Sequence, residues 1–509
     1  MFTKKRNIFT KILIWRYKFI SERQFILVLS ILVGFLAGLG TVLLKYLTLF
    51  IQSVLEGGFI KNYYYSLYFI FPIIGVWLVY LIKKNFIKKE IGHGISTTLY
   101  SISKRSGIIE RYKMFASLIV APITVGFGGS VGLQGPAVST GAALGSNVAR
   151  LFHMNAKTRM LLIGCATAGA MSSMFKAPVA AIVFAIEIFS LDLVFASLVP
   201  LLLASIAAVI TSYFFRGTDV LFSFELLDAW RVKDIVFYVL LGLATGIASV
   251  YFSKMYFLIT RFFSRFSNAY IKIGIAAIAI GFMLYLFPPL YGEGYGLINN
   301  LLNGNTEVAL SGIQYQIDFN NIWMVIVILL IIAVFKAIAM TTTFAAGGVG
   351  GIFIPTLFMG SALGNAVAKA INQFGFEVSE ANFTLIGMTG LMAGVLHAPL
   401  TAIFLIAEIT GGYDLFVPLM LVATISFGFT KYFVPNSIYT AELAKRGELI
   451  TNDKDKNALM MLNIDRVIET NFIKISTEMT LGEMLRKGVS KSSRNIFPVV
   501  DEAEQFLGI

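Results

Sequence analysis

Apolar residues run through this chain in long stretches, broken by short basic segments or glycine clusters. Phe25 to about Leu49 reads as one membrane span and about Ser66 to Ile82 as a second, each near the ~20 residues a helix needs to cross a bilayer. From Met114 to Val434 the interruptions are glycine-rich rather than charged. Within that region Lys113–Ile123, Ala137–Leu151 and Lys176–Phe189 are too short to cross as straight helices. They predict helices that begin or end inside the bilayer, where broken backbone is tolerated if it packs in protein or lines a wet cavity. Beyond Val434 the pattern changes. Thr440–Ile509 mixes charged and apolar residues and predicts strand, helix and strand over FIKIS, TLGEMLRKG and NIFPVVD. This small α/β unit stops at Gly508-Ile509 in what reads as mid-strand and is expected to be incomplete.

Composition sharpens the picture. Of the 509 residues, 57% are hydrophobic and 14% charged, against about 45–50% and about 25% in soluble domains. Such a chain buries apolar surface against lipid, which excludes a soluble enzyme, a disulfide scaffold (Cys165 is the single cysteine) and a disordered regulator. The net charge of +13 is concentrated as a topology signal. The first 24 residues hold seven Lys/Arg and one acid, and lack the short apolar core and cleavage site of a signal peptide. Two spans later, the connection over 83–113 is again rich in Lys and Arg. Both basic segments then fall on the cytoplasmic side. The expected organisation is a basic cytoplasmic arm over 1–24, a transmembrane domain over 25–445, and the start of a cytoplasmic unit over 446–509. No affinity for nucleic acid is expected.

An internal repeat divides the transmembrane region. Gly128–Ala149 (GGSVGLQGPAVSTGAALGSNVA) and Gly347–Ala368 (GGVGGIFIPTLFMGSALGNAVA) agree at ten of 22 positions at an offset of 219. Leu162–Gly164 matches Leu385–Gly387, and Ala177-Pro178…Glu187-Ile188 matches Ala398-Pro399…Glu408-Ile409. The halves are expected over about 66–215 and 235–434. A two-fold repeat with matching broken segments predicts a binding site near the bilayer midplane, where those segments meet.

Three glycine stretches precede expected helix starts in this pattern: Gly92-His93-Gly94-Ile95, Gly129–Pro136 and Gly347–Pro355. Helix N-termini offer unsatisfied N–H groups and the positive end of the macrodipole, so they attract anions. Glycine admits close backbone approach, and proline suits the first helical turn. Weak binding by partial charges allows throughput that trapping by a lysine would not.

At these residues the sequence resembles the CLC chloride channel and transporter family, whose motifs are GSGIP, G(K/R)EGP and GxFxP with a late tyrosine. Here Gly92–Ser96 is GHGIS, Gly132–Pro136 is GLQGP, Gly351–Pro355 is GIFIP, and Tyr439 stands in NSIYTAEL. The tail is similar to the beginning of a CBS domain. The resemblance implies an all-α polytopic membrane protein, a bacterial inner-membrane member of the family, built as a two-fold inverted repeat of broken and tilted helices. It implies a homodimer with one anion pathway per subunit. A central anion is expected at the N–H groups of Ile352 and Phe353 and the Tyr439 hydroxyl; His93, standing where the family has serine, reads either as a further donor to that anion or as a helix-capping histidine. An outer anion is expected at Leu133–Gly135 and Ile354. Gly92, Gly94, Gly132, Pro136, Gly351 and Pro355 shape the loops. No cofactor or metal is implied; His153 and His397 share no ligand spacing with His93.

The departures from the family pattern bear most on function. Gln134 stands where the family has its gating glutamate, a carboxylate that competes with the outer anion, swings away when protonated, and carries the proton in exchangers. A glutamine cannot titrate. The inner proton-transfer glutamate is replaced by Ile188, while Glu187 and its repeat mate Glu408 read as structural acids at helix ends. The resemblance thus predicts passive chloride conduction, with a chloride/proton antiporter as the alternative. An intramembrane enzyme would need paired carboxylates, HExxH or a Ser–His dyad at membrane depth, and the sequence displays none.

Overall fold

The computed structural model describes residues 16, 18–56, 67, 69–89, 91–92, 94–189, 195–218, 222, 230–446, 468, 471–492 and 494–509. His93 therefore lies outside the described residues. The chain forms two compact units, 1–449 and 450–509.

The first unit is helical. Its elements are α1 (Glu22–Glu56), α2 (Ile70–Ile82), α3 (Ile95–Lys104), α4 (Lys113–Gly126), α5 (Gln134–Leu151), α6 (Ala156–Phe175), α7 (Pro178–Phe189) and α8 (Phe195–Arg216). There follow α9 (Ile235–Ser264), α10 (Ala269–Leu286), α11 (Tyr295–Leu302), α12 (Thr306–Ala309), α13 (Ile322–Ala345), α14 (Phe353–Gln373), α15 (Glu380–Leu396), α16 (Pro399–Ile409), α17 (Phe416–Phe433) and α18 (Ala441–Lys445). Among the described residues seven helices are long and apolar enough to cross a membrane. Others stay short: α4, α7 and α16 run 14, 12 and 11 residues. The protein is a multi-pass integral membrane protein of broken and full-length helices.

The repeat is visible in the element order. Helix α5 starts at Gln134 and α14 at Phe353, both preserving the offset of 219. Long α1 stands in order opposite long α9, which carries the correspondence back from about residue 66 to Glu22. Two structural details follow the same symmetry. Lys176 and His397 each turn the chain in the left-handed region, at φ +57° and +55°, before an Ala-Pro pair opens the next helix. Glycines on α5 lie against backbone of α6 (Gly141 on Ala166, Gly145 on Leu162), and Gly360 and Gly364 on α14 lie against Gly387 and Phe383 of α15. Small residues let such backbones touch, which is how membrane helices associate without a hydrophobic driving force.

Helices α7 and α16 cap one another. The Glu187 carboxylate accepts from the N–H of Leu400 (3.1 Å), the N–H of Thr401 (2.8 Å) and the Thr401 hydroxyl (2.6 Å). The Glu408 carboxylate accepts from the N–H groups of Val179 (3.1 Å) and Ala180 (2.9 Å). Each acid thereby satisfies first-turn donors that have no intrahelical partner. This is the geometry of structural helix-end acids. Ile188, beside Glu187, is buried in the apolar core.

In the second unit a small sheet has the order β1 (Ile475–Ser476), β2 (Val499–Val500), β3 (Phe506–Gly508), the first pair parallel and the second antiparallel. A short helix, α19 (Leu481–Glu483), follows β1. Its capping box sets Thr480 against Glu483, and bonds from Thr480 hold that exposed carboxyl below its usual range.

Candidate functional site

Two symmetry-related glycines join the halves. Gly132 N–H donates to Gly351 O at 2.9 Å and Gly351 N–H donates to Gly132 O at 2.7 Å. Directly after this joint the chain enters α5 on one side and α14 on the other. Leu133 is the N-cap residue of α5 and Ile352 that of α14. Pro136 and Pro355 fall at the third helical position, within the turn whose N–H groups lack intrahelical partners.

A third helix start comes to the same place. Gly94, at φ +49°, caps α3, and a side chain there would stand 2.8 Å from Gly135 O. A Cβ on Gly351 would stand 2.6 Å from Gly135 N. No side chain fits between these backbones, which accounts for glycine at all three positions. The three glycine stretches singled out from the sequence therefore do converge.

On one side of this crossing lies a chamber of about 20 Å³, room for one water-sized occupant. Ile95 and Ser96 of α3, Gly135 of α5, Gly351 and Ile352 before α14, and Tyr439 line it. The Tyr439 hydroxyl is buried and has no hydrogen-bond partner among the described residues. The Phe353 ring packs on Phe175 and Phe184, its centroid 5.2 and 6.3 Å from theirs. Gly135, expected with the outer set, faces this chamber instead, because α5 and α14 cross within backbone contact. Ile354 is buried and would touch any side chain at Gly132.

At the start of α5 opens a second, larger cavity of about 490 Å³, lined by Lys45, Leu133, Arg216, Glu293 and Tyr295 among others. Gln134 is fully buried beside it. Its Nε2 donates to the Tyr295 hydroxyl at 3.2 Å and to Glu293 Oε1 at 3.4 Å, while Leu133 N–H donates to the same Oε1 at 3.0 Å. Gln134 Oε1 has no partner among the described residues.

Sequence reasoning missed Glu293, Tyr295, Lys45 and Lys336. Lys336 of α13 is fully buried and donates to Gly292 O (3.1 Å) and Leu290 O (3.4 Å). The signal was present: a lysine inside a long apolar span is rare enough to mark a site by default. Gly292-Glu293-Gly294 also repeats the pattern Gly92-His93-Gly94, at an offset of 200 rather than 219.

Known proteins share this fold and much of this sequence. Residues 74–431 match the family described as voltage gated chloride channel. A putative chloride channel protein ClcB-like from Ralstonia nicotianae is 26% identical over 365 residues, 69% of this chain and 80% of that protein. An H(+)/Cl(-) exchange transporter ClcA from Salmonella paratyphi B is 26% identical over 444 residues, covering 82% and 88%. The fold is shared with a slow cyanobacterial Cl-/H+ antiporter (TM-score 0.69, 20% identity, 84% of this chain and 98% of that one). It is shared equally with a eukaryotic CLC transporter (TM-score 0.65, 18% identity, 95% and 86%). With well over half its length matched, the chain belongs to the voltage gated chloride channel (CLC) family, whose members are membrane channels and transporters rather than enzymes.

Proposed function

We propose that this protein conducts chloride and similar small anions passively, through one pathway in each subunit of a homodimer. The observation that carries the reading is the start of α5. There a neutral amide, Gln134, sits at a helix N-terminus that meets two others in backbone contact. The N–H groups of Ile352 and Phe353 and the Tyr439 hydroxyl hold the central anion, and the start of α5 with Ile354 holds the outer one. His93 adds a donor to the central anion. Neither Gln134 nor Ile188 carries a proton, so this path has no titratable relay at those two positions. The domain over 25–445 carries the function, both termini face the cytoplasm of a bacterial cell, and the tail after 446 begins a CBS-like domain. Neither cofactor nor metal takes part.

A coupled chloride/proton antiporter is the second reading. The buried carboxylate of Glu293, 3.4 Å from Gln134, favours it. So do the names of the ClcA relatives, which describe exchange in those proteins. Vesicles with a chloride gradient discriminate the two. Passive conduction gives a chloride-driven potential with no stoichiometric proton movement, and proton pumping against its gradient would overturn it.

A further inference from the structure

Glu293 stands at an unusual point. It is 8% exposed, and its carboxylate takes the N–H of the α5 N-cap residue, Leu133, at 3.0 Å. The exposed positive end of a helix is where a mobile anion is held, and here a side chain from the α10–α11 connection already holds that N–H. The side chains of α5 itself at this point, Leu133 and Gln134, are neutral, so the charges around its start come from other elements. Lys45 reaches in from α1: its Nζ is buried without a hydrogen-bond partner among the described residues and lies 5.3 Å from the Tyr295 ring centre. Lys336 of α13 grips the carbonyls of Leu290 and Gly292 on the same connection. Tyr295 of α11 turns its hydroxyl toward Glu293, 3.5 Å from Oε1, and Arg216 of α8 lines the same cavity. Lys176, just past the end of α6, acts on Lys45 from further off. The repeat adds an independent pointer. Gly292 (φ +56°) and Gly294 (φ +84°) flank Glu293 before α11, and Gly92 (φ +73°) and Gly94 (φ +49°) hold the matching positions before α3.

We propose that Glu293 is a tethered anion, occupying the start of α5 when ionised and yielding it to chloride when protonated, with the Lys45 ammonium serving whichever anion is present. This rests on the anion-transport reading of the site and adds its regulation by acid. A carboxylate and a chloride drawn to one N–H repel each other, so removing the carboxylate's charge strengthens anion binding.

The test is chloride binding to the full-length protein in detergent, by titration calorimetry at pH 7.5 and pH 5. Glu293→Gln keeps an acceptor for Leu133 N–H and loses the charge. At pH 7.5 it should bind chloride roughly tenfold more tightly than the wild type, a gain of about 1.4 kcal/mol. Acidification to pH 5 should tighten the wild type by more than it tightens Glu293→Gln. Lys45→Met in the intact protein should weaken binding several-fold. Glu293→Gln binding equal to or weaker than the wild type, or equal acid responses in the two, would overturn the proposal. The wild-type acid response needs no variant to be read. Proton pumping in vesicles with this binding pattern intact would defeat passive conduction and leave the tethered anion standing.

Discussion

Removing the Glu187 carboxylate tests whether the repeat-related acids are structural or belong to the ion path. Glu187→Ala deletes three hydrogen bonds, to Leu400 N–H, Thr401 N–H and the Thr401 hydroxyl. Net contributions of hydrogen bonds to charged groups run about 1.5–3 kcal/mol each. Glu187 is half-buried, and its own desolvation cost is recovered on deletion, so the total falls to about 3 kcal/mol. Glu408→Ala loses two bonds, because the position matching Thr401 is Ala180, which has no hydroxyl. It should cost about 1 kcal/mol less than Glu187→Ala. Glu187→Gln keeps one acceptor oxygen and should cost about half as much as the alanine variant. Unfolding of the purified protein in mixed micelles reads these differences, and chloride efflux from vesicles, per folded protein, should stay within roughly twofold of the wild type for Glu187→Gln. Unchanged stability in Glu187→Ala, or unchanged stability with altered efflux in Glu187→Gln, would refute the capping account and place Glu187 in the pathway.

Other outcomes follow from the same geometry. Gln134→Glu sets a second carboxylate about 3.4 Å from Glu293, where two like charges repel by about 1 kcal/mol even at the dielectric of water; bilayer recordings should show less chloride current at neutral pH and recovery in acid. Tyr439→Phe removes a hydroxyl with no hydrogen-bond partner among the described residues, so thermal stability should hold while chloride affinity in calorimetry falls several-fold. Gly351→Ala forces a methyl group to 2.6 Å from Gly135 N, which is backbone and cannot swing aside; the yield of folded protein on size-exclusion chromatography should collapse. Lys336→Met frees the Gly292 carbonyl inside the core, at about 1–3 kcal/mol, while the Leu290 carbonyl keeps the Ser130 hydroxyl at 2.6 Å; the unfolding midpoint should fall.

Much of the fold was legible because it is written twice. Ten shared positions in 22 placed α5 and α14 opposite each other, and the glycines among them proved to be where backbones touch. Lys113–Ile123 and Lys176–Phe189 were legible as short, and their helices run 14 and 12 residues, because apolar length is a direct measure of span, whereas Ala137–Leu151 is part of the 18-residue α5. What escaped was the part of the repeat whose spacing drifted. The small α12 and the differing loops change the offset from 219 to 200 near Glu293, so a search at fixed offset passed over Gly292-Glu293-Gly294. Lys45 and Lys336 escaped for another reason. Their roles depend on which side of a helix meets which loop, and an isolated lysine in an apolar run does not reveal that.

The mutual capping of α7 and α16 has the form of a contact between identical subunits, in which residue i meets j and j meets i. Within one chain that obligation no longer binds, since each copy of the interface is encoded separately. A symmetric dimer of half-chains would be compelled to carry any new group at both ends of its axis. A fused one is not, and the consequence is directional. Thr401 strengthens one cap while Ala180 leaves the other plain. The same freedom lets the sequence carry glutamate between one glycine pair, Gly292 and Gly294, and histidine between the matching pair, Gly92 and Gly94. A scaffold with two equivalent entrances thereby becomes one whose two faces can answer to different conditions.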